Sequence, residues 1–387
     1  MYEPKVLALI LAGGKGSRLG ALTERAVKPA LPFGGTYRLI DISLSNLAHS
    51  HISDVGIVQQ YLPGSLNRHL ANGRPWDLDR SHGGLRILAP YQGREGEGFA
   101  SGNTDSIYRH AHEIEMSCAD VVLVLSADHV YTLDFRDVLA THARTDADLT
   151  IVTTRIDRDV TRYGVVHTDA EGVVTAFDYK PDEAATQTVA CEVFCYDADD
   201  LVAGLRALAG QGELGDYGED LVPYFVANHR VVEHRMDGYW LDLGTLQSYW
   251  AGNLQLLHGA GVRLDDPTWP IWTAQPQLLP ARIEPGAVVD SSMVSAGARV
   301  AGRVTRSLLG PRVVVEAGAE VEDCVILDGV AIGSGVRLRN CVVVPEAQVR
   351  GGGPRGTADA VTLIGRDGTI AEREKLDPGE ELPAHLR

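Results

Sequence analysis

The sequence predicts an α/β domain on a mostly parallel sheet, followed by a C-terminal left-handed parallel β-helix. Three observations carry this expectation. Across residues 1–262 short apolar runs alternate with stretches of helical spacing. From residue 281 the helical patterns stop, and valine-rich runs recur every six residues between Gly, Pro, Asp and Asn. Between the two lies "VRLDDPTWPIWTAQPQLLP", whose four prolines mark a linker.

Taken in order, "KVLALILA", "DVGIVQQY", "ADVVLVLSADHV" and "DLTIVTTR" are too short and apolar for surface helices and predict buried strands. "LIDISLSNLAHS", "TDSIYRHAHEIE" and "FRDVLATHART" carry apolar residues at helical spacing. Such alternation predicts a Rossmann-like sheet with helices on both faces and ligands at the carboxyl ends of its strands. Beyond the linker, Val288, Val294 and Val300, then Leu309, Val315 and Val321, then Val330, Val336 and Val342 repeat every six residues. These three sets are offset by 21 residues. Hexapeptide periodicity of this kind predicts stacked coils with one continuous valine core; a small β-sandwich is the alternative. The expected domains are 1–262, a linker at 263–280, a β-helix at 281–350 and a tail at 351–387.

Bulk properties exclude several classes of function. The 387 residues are enough for two or three domains, and 44% hydrophobic with 22% charged residues is ordinary for a globular protein. A net charge of −17 argues against nucleic acid or an anionic membrane as partner, since both demand a basic footprint. No leader and no bilayer-length apolar run are read, so a cytoplasmic protein is expected. The five scattered cysteines fit a reducing compartment, and Cys191 and Cys195, in the strand-like "VACEVFCY", are expected to pack rather than bind metal. Histidines in "LNRHL", "SHGG" and "YRHAHEI" lie on separate segments and are expected at helix surfaces and in loops.

Local chemistry is sharper. "LAGGKGSRLG" follows the first strand, so its amides can face an anion. It is not a Walker A loop, since no G-x4-G-K-[ST] is present, nor a dinucleotide fingerprint, because Gly20 falls one place late. The loop carries Lys15 and Arg18, with Arg25 and Lys28 close behind, a grouping that points to a nucleoside triphosphate. Asp128 closes an apolar strand in "VVLVLSADHVY", and Asp242 sits between Leu241 and Leu243 in "GYWLDLGTLQSYW". A carboxylate at such a place is costly unless it is paired or binds a cation. Either aspartate could instead cap a helix, Asp242 that of a helix beginning near Thr245. Together with a triphosphate, two carboxylates are the usual arrangement for Mg²⁺. Lys180, before Pro181 in "FDYKP", is a suitable point charge for a second phosphate.

These segments resemble the sugar-phosphate nucleotidylyltransferases, the ADP-glucose pyrophosphorylase group in particular. "LILAGGKGSRL", "KPALPFGGTYRLIDISLSNL", "SADHVYTLDF", "GDYGEDLVP" and "YWLDLGTLQSYWAGNL" follow that family's motifs in order over nearly the whole chain. The resemblance implies an ordered reaction in which a nucleoside triphosphate and a sugar 1-phosphate give a nucleotide-sugar and pyrophosphate. Carried over by motif, Leu11, Ala12, Gly13, Gly14, Gly16, Ser17, Gln60, Tyr91, Gln92, Gly102 and Asp105 would contact the nucleotide. Arg18 and Lys28 would face the triphosphate, and Asp128 and Asp242 would hold Mg²⁺. Tyr179, Lys180, Glu192, Asp220 and Trp240 would line the sugar site, with Lys180 on its phosphate. The resemblance also implies a homodimer or homotetramer assembled through the β-helix.

The departures have a direction. The family's P-A-Q-Q-R reads "APYQGRE", with Tyr91 for the first glutamine, and its E-K-P reads "YKP", with Tyr179 for the glutamate. G-T-A-D-A becomes "GNTDSI" and S-M-G-I-Y becomes "ACEVF". Two basic effector positions read Arg25 and Ala26, which weakens any expectation of activation by glycolytic intermediates. Phosphate and metal residues are kept while base and sugar contacts change together. That pattern is similar to the guanylyltransferases of valienol 1-phosphate, a glucose-like cyclitol of aminocyclitol antibiotic pathways. A divergent ADP-glucose enzyme and a non-catalytic regulatory subunit are the alternatives.

Overall fold

The computed structural model describes residues 4–14, 16–89, 99–351 and 353–376, and of Ser17 the backbone. Contacts group the chain into two compact units, 1–14 with 43–240 and 15–42 with 241–387. This is a grouping by packing, a different criterion from the change of texture after residue 262.

In chain order the first part comprises β1 (Val6–Ala12), a short hairpin of β2 (Pro32–Phe33) and β3 (Tyr37–Arg38), α1 (Ile40–His49), β4 (Asp54–Gln59) and α2 (Pro63–Leu70). There follow β5 (Gly84–Leu88), α3 (Asn103–Arg109), α4 (Ala111–Ser117), β6 (Val121–Ser126), β7 (His129–Tyr131), α5 (Phe135–Thr145) and β8 (Leu149–Arg155). Then come β9 (Gly164–Thr168), β10 (Val174–Tyr179), β11 (Thr188–Asp197), α6 (Ala198–Ala209), α7 (Leu221–Asn228) and β12 (Val231–Arg235). The expected helix over "TDSIYRHAHEIE" is two short ones. His110, at φ −101° and ψ 11°, ends α3 and opens α4.

The first unit is built on a sheet whose parallel half runs β5-β4-β1-β6. β11 joins β6 antiparallel and carries the second half, with β9 and β10 on one side and β8, then β12, on the other. Leu7, Leu9, Val122 and Val124 from one face of this sheet pack with Leu201 and Leu205 of α6 and Leu221 and Phe225 of α7. The apolar runs read from the sequence are these central strands, buried on both faces as a parallel sheet requires. None of the helices among the described residues is long and apolar enough to cross a membrane.

In the second unit, residues 282–364 form three parallel sheets, each built from one short strand per coil. This is the left-handed parallel β-helix expected from the hexapeptide spacing. The stacking period is not 21 except at the last step of one sheet, where Val343 pairs with Ile364. Val300 lies on Val315, Val315 on Ile332 and Ile332 on Val349, so a coil takes 15 or 17 residues. Six-residue steps shortened at one turn give the 17-residue coils and at two turns the 15-residue coil, so the 21-residue offset of the valine sets joins positions on different faces. Val300, Leu309, Val315, Val321, Val330, Val336 and Val342 are buried as expected, whereas Val288 is exposed and Val294 half-buried. Both belong to the first coil, which has no earlier coil beneath it.

Thr245 caps α8 (Leu246–Gln255) through a capping box with Ser248, and Trp250 Nε1 donates to Asp323 O at 2.8 Å. Leu309 is buried between Val294 and Ile326 of the neighbouring coils. Leu309→Ala is expected to cost about 2–5 kcal/mol, read as a lower urea midpoint.

Candidate active site

The glycine loop starts in the first unit and continues in the second, with the passage after Gly14. β1 is flanked on both sides by parallel strands and delivers Leu11 and Ala12 to its carboxyl end, with Gly13 and Gly14 immediately beyond. A Cβ on Gly13 would lie 3.2 Å from the Gln60 side chain. Gln60 in turn donates through Nε2 to Ser106 Oγ (2.8 Å) and Ala100 O (3.2 Å). Gly102 is extended; its demand for glycine comes from close approach, since a Cβ would sit 2.1 Å from Gly215 O. Asp105 takes a bidentate pair from Arg109, Nε to Oδ1 at 2.9 Å and Nη2 to Oδ2 at 3.0 Å, and accepts from Ser101 N. Its carboxylate therefore shapes the start of α3. Tyr91 and Gln92 lie outside the described residues, as does Lys15.

A second group of polar residues in the first unit gathers at the ends of β6, β10 and β11. Asp128 follows β6, accepts a short bond from Ser126 Oγ and is partly exposed. It does not cap a helix. β11 carries a bulge: Ala190 pairs with Thr153 and Phe194 with Ile151, so two extra residues are accommodated between them. That irregularity turns Glu192 into the left-handed region at φ +55°. His129 Nδ1 donates to Cys191 O at 3.2 Å, which places Nε2 3.8 Å from Asp128 Oδ1 and 3.9 Å from Glu192 Oε2. The three side chains bring ligand atoms within 4.8 Å of one another, a set that could hold a cation. Trp240 stands edge-on to both His129 and Tyr163.

Lys180 also adopts left-handed backbone, at φ +50°, and its amide donates to Tyr163 O. Non-glycine residues in that region cost about 1–3 kcal/mol and persist where the surroundings hold them. Asp220 accepts from Gly215 N through Oδ2 and so closes the loop ahead of α7. Tyr217 is buried beside Glu192; burial first, then the negative charges of Glu192 and Asp216, push its hydroxyl pKa up. Cys191 and Cys195 are buried packing residues with free thiols.

In the second unit, Gly16 is left-handed at φ +62°, and Thr23 Oγ1 donates to the carbonyls of Gly16 (3.0 Å) and Gly20 (3.2 Å). The loop is thereby wound into 3-10 turns with Arg18 exposed. Lys28 opens a turn ahead of Pro29, and its Nζ donates to Asp242 Oδ1 at 3.1 Å. The side chains are only 11% and 13% exposed, so this is a largely desolvated pair. Because Thr245 performs the capping of α8, the Asp242 carboxylate is released for ion pairing.

Sequence reasoning missed His129, Asp216 and Tyr217. The first stands next to Asp128, and the other two lie inside "GDYGEDLVP", whose roles composition does not reveal.

A sheet of this topology with acids and lysines at its strand ends defines a class, and comparison with known proteins agrees. A model of the family described as nucleotidyl transferase matches residues 7–259, and one described as GlmU-like, C-terminal hexapeptide matches 280–359. The chain belongs to the nucleotidyl transferase family and is an enzyme of that class. It is similar to the glucose-1-phosphate adenylyltransferase of Acetivibrio thermocellus, 34% identical over 90% of this chain and 83% of that one. The enzyme of the same name from Thermotoga maritima is 39% identical over 82% and 76%, and that of Bacillus thuringiensis 35% over 94% and 98%.

Lys28→Met removes the cation from a nearly buried carboxylate. Breaking such a pair from one side costs about 3–5 kcal/mol, so a clear fall in the urea midpoint is expected, partly recovered in Lys28→Arg.

Proposed function

We propose that the protein transfers a nucleotidyl group from a nucleoside triphosphate to a cyclic polyol 1-phosphate, releasing pyrophosphate, with GTP and valienol 1-phosphate as the preferred pair. The observation that carries the acceptor is Tyr179, a phenol where the family's motif has a carboxylate able to accept from glucose hydroxyls. A site that loses such an acceptor discriminates against the substrate that needed it. The second reading, ATP with glucose 1-phosphate, is favoured by the names of the relatives at 34–39% identity.

The acceptor's phosphate is already ionised, so no protein nucleophile or base is needed. Catalysis is positioning plus neutralisation of charge. Lys180 is assigned to the acceptor phosphate, and Arg18 to the triphosphate's leaving end, where its exposed guanidinium has the reach. Lys28 is assigned to the same triphosphate while it balances Asp242. Gly13, Gly14, Gly16 and the Ser17 backbone are assigned to cradling that triphosphate. Asp128 and Asp242 are the donors we assign to Mg²⁺, because both offer the hard carboxylate oxygens this ion takes. When bound, the ion would neutralise charge on the phosphates. A homodimer or homotetramer and a cytoplasmic location complete the proposal, the oligomer to be checked by light scattering.

The deciding measurement is pyrophosphate release with Mg²⁺, crossing ATP, GTP, UTP and dTTP with glucose 1-phosphate and valienol 1-phosphate. GTP with the cyclitol is the expected optimum; ATP with glucose 1-phosphate would establish the second reading. No release with any pair would favour a regulatory subunit. Asp128→Asn is expected to lower kcat by about 10²–10³-fold, the usual loss of one electrostatic contact to the transition state.

A further inference from the structure

Tyr179 is tied on both sides. Its hydroxyl donates to Asp216 Oδ2 at 2.7 Å and accepts from Lys180 Nζ at 2.6 Å. The same ammonium lies 4.1 Å from the centre of the Tyr179 ring. Asn103 Nδ2 donates to the other oxygen of Asp216 at 3.2 Å, so this carboxylate is held from two directions. The ring is seated as firmly as its hydroxyl. It stacks on Phe177 (6.5 Å, 15°) and meets Tyr217 edge-on (6.4 Å, 61°). A Cβ at Gly218 would lie 2.2 Å from a ring carbon, so only glycine leaves room for it.

We infer that Tyr179 is a positioning and specificity-determining residue: it holds the Lys180 ammonium and the Asp216 carboxylate in one relay, and its hydroxyl keeps little hydrogen-bonding capacity for an acceptor hydroxyl. The inference rests on the nucleotidyl-transfer reading and deepens it. A lysine on a left-handed backbone has a flexible four-carbon stem, and a fixed phenol oxygen confines where its charge can stand. The phenol's proton is committed to Asp216, and one of its lone pairs to Lys180. The acceptor class this suits is a ring 1-phosphate with few hydroxyls on the edge that meets Tyr179, in preference to a fully hydroxylated pyranose. Burial and the bond to Asp216 push the phenol's pKa above the usual tyrosine value. A group so shifted stays protonated at neutral pH.

The test uses the whole chain and two variants, with thermal melting as the check on folding. Tyr179→Phe keeps the ring and removes the relay. A hydrogen bond to a charged group contributes about 1.5–3 kcal/mol, so KM for the acceptor phosphate is expected to rise about tenfold or more. KM for the nucleoside triphosphate is expected to stay unchanged, because Tyr179 is assigned to the acceptor. Tyr179→Glu returns an acceptor and is expected to move preference toward glucose 1-phosphate. An unchanged acceptor KM in Y179F, or an unchanged preference in Y179E, overturns the inference. If the wild type transfers no nucleotidyl group with any pair, the nucleotidyl-transfer reading falls separately. The relay is then decided by the rate at which an amine-acylating reagent labels Lys180, read by mass spectrometry: faster labelling in Y179F supports it, and equal labelling overturns it.

Discussion

The ion pair between Lys28 and Asp242 is the interaction on which the rest of the second unit's chemistry depends. It joins residues 214 positions apart, both nearly out of solvent. A charge in such a place is tolerated only with a partner of opposite sign in good geometry. The pair therefore requires the segment that follows the glycine loop to lie against the start of α8. The same packing accounts for residues 15–42 grouping with 241–387 and not with the sheet they precede in sequence. A capping threonine beside the aspartate makes this workable: Thr245 satisfies the helix end, and the carboxylate keeps its charge for the lysine.

The first unit meets the same constraint at the ends of its strands. Asp105 is held by Arg109, Asp216 by Tyr179 and Asn103, and Asp220 by the Gly215 amide. Each acidic residue near the strand ends thus has a hydrogen-bonding donor before any substrate arrives. The consequence is preorganisation: these polar groups are already oriented by their partners. Two left-handed residues, Lys180 and Glu192, show where that order opposes ordinary backbone preference. The β11 bulge is the local device for Glu192, since an extra pair of residues re-aims the side chain without breaking the sheet.

Much of this was legible in residues. Asp128 and Asp242 were singled out because carboxylates ending apolar runs demand a partner, and Asp242 does have one, in Lys28. Tyr179 was singled out as a change in a motif, and it turns out to touch both a lysine and an aspartate. The bulge at Cys191–Val193 was hidden, because "VACEVFCY" alternates too loosely to show two surplus residues. The coil length was hidden as well: six-residue spacing reports one side of a coil, while a turn shortened by one or more residues changes the whole-coil repeat.

The sequence by itself determined the class of fold, through hydrophobic periodicity, and marked out the charged residues beside glycines and strand ends on which the proposed phosphate chemistry rests. These are local properties, carried by spacing along the chain. Only the tertiary structure decided which charges meet. Lys28 finds Asp242, Tyr179 bridges Lys180 to Asp216, and His129 is turned by a carbonyl of β11 toward Asp128 and Glu192. Such pairings depend on strand order and on a bulge, and desolvation then makes them obligatory; neither cause is written at any single position.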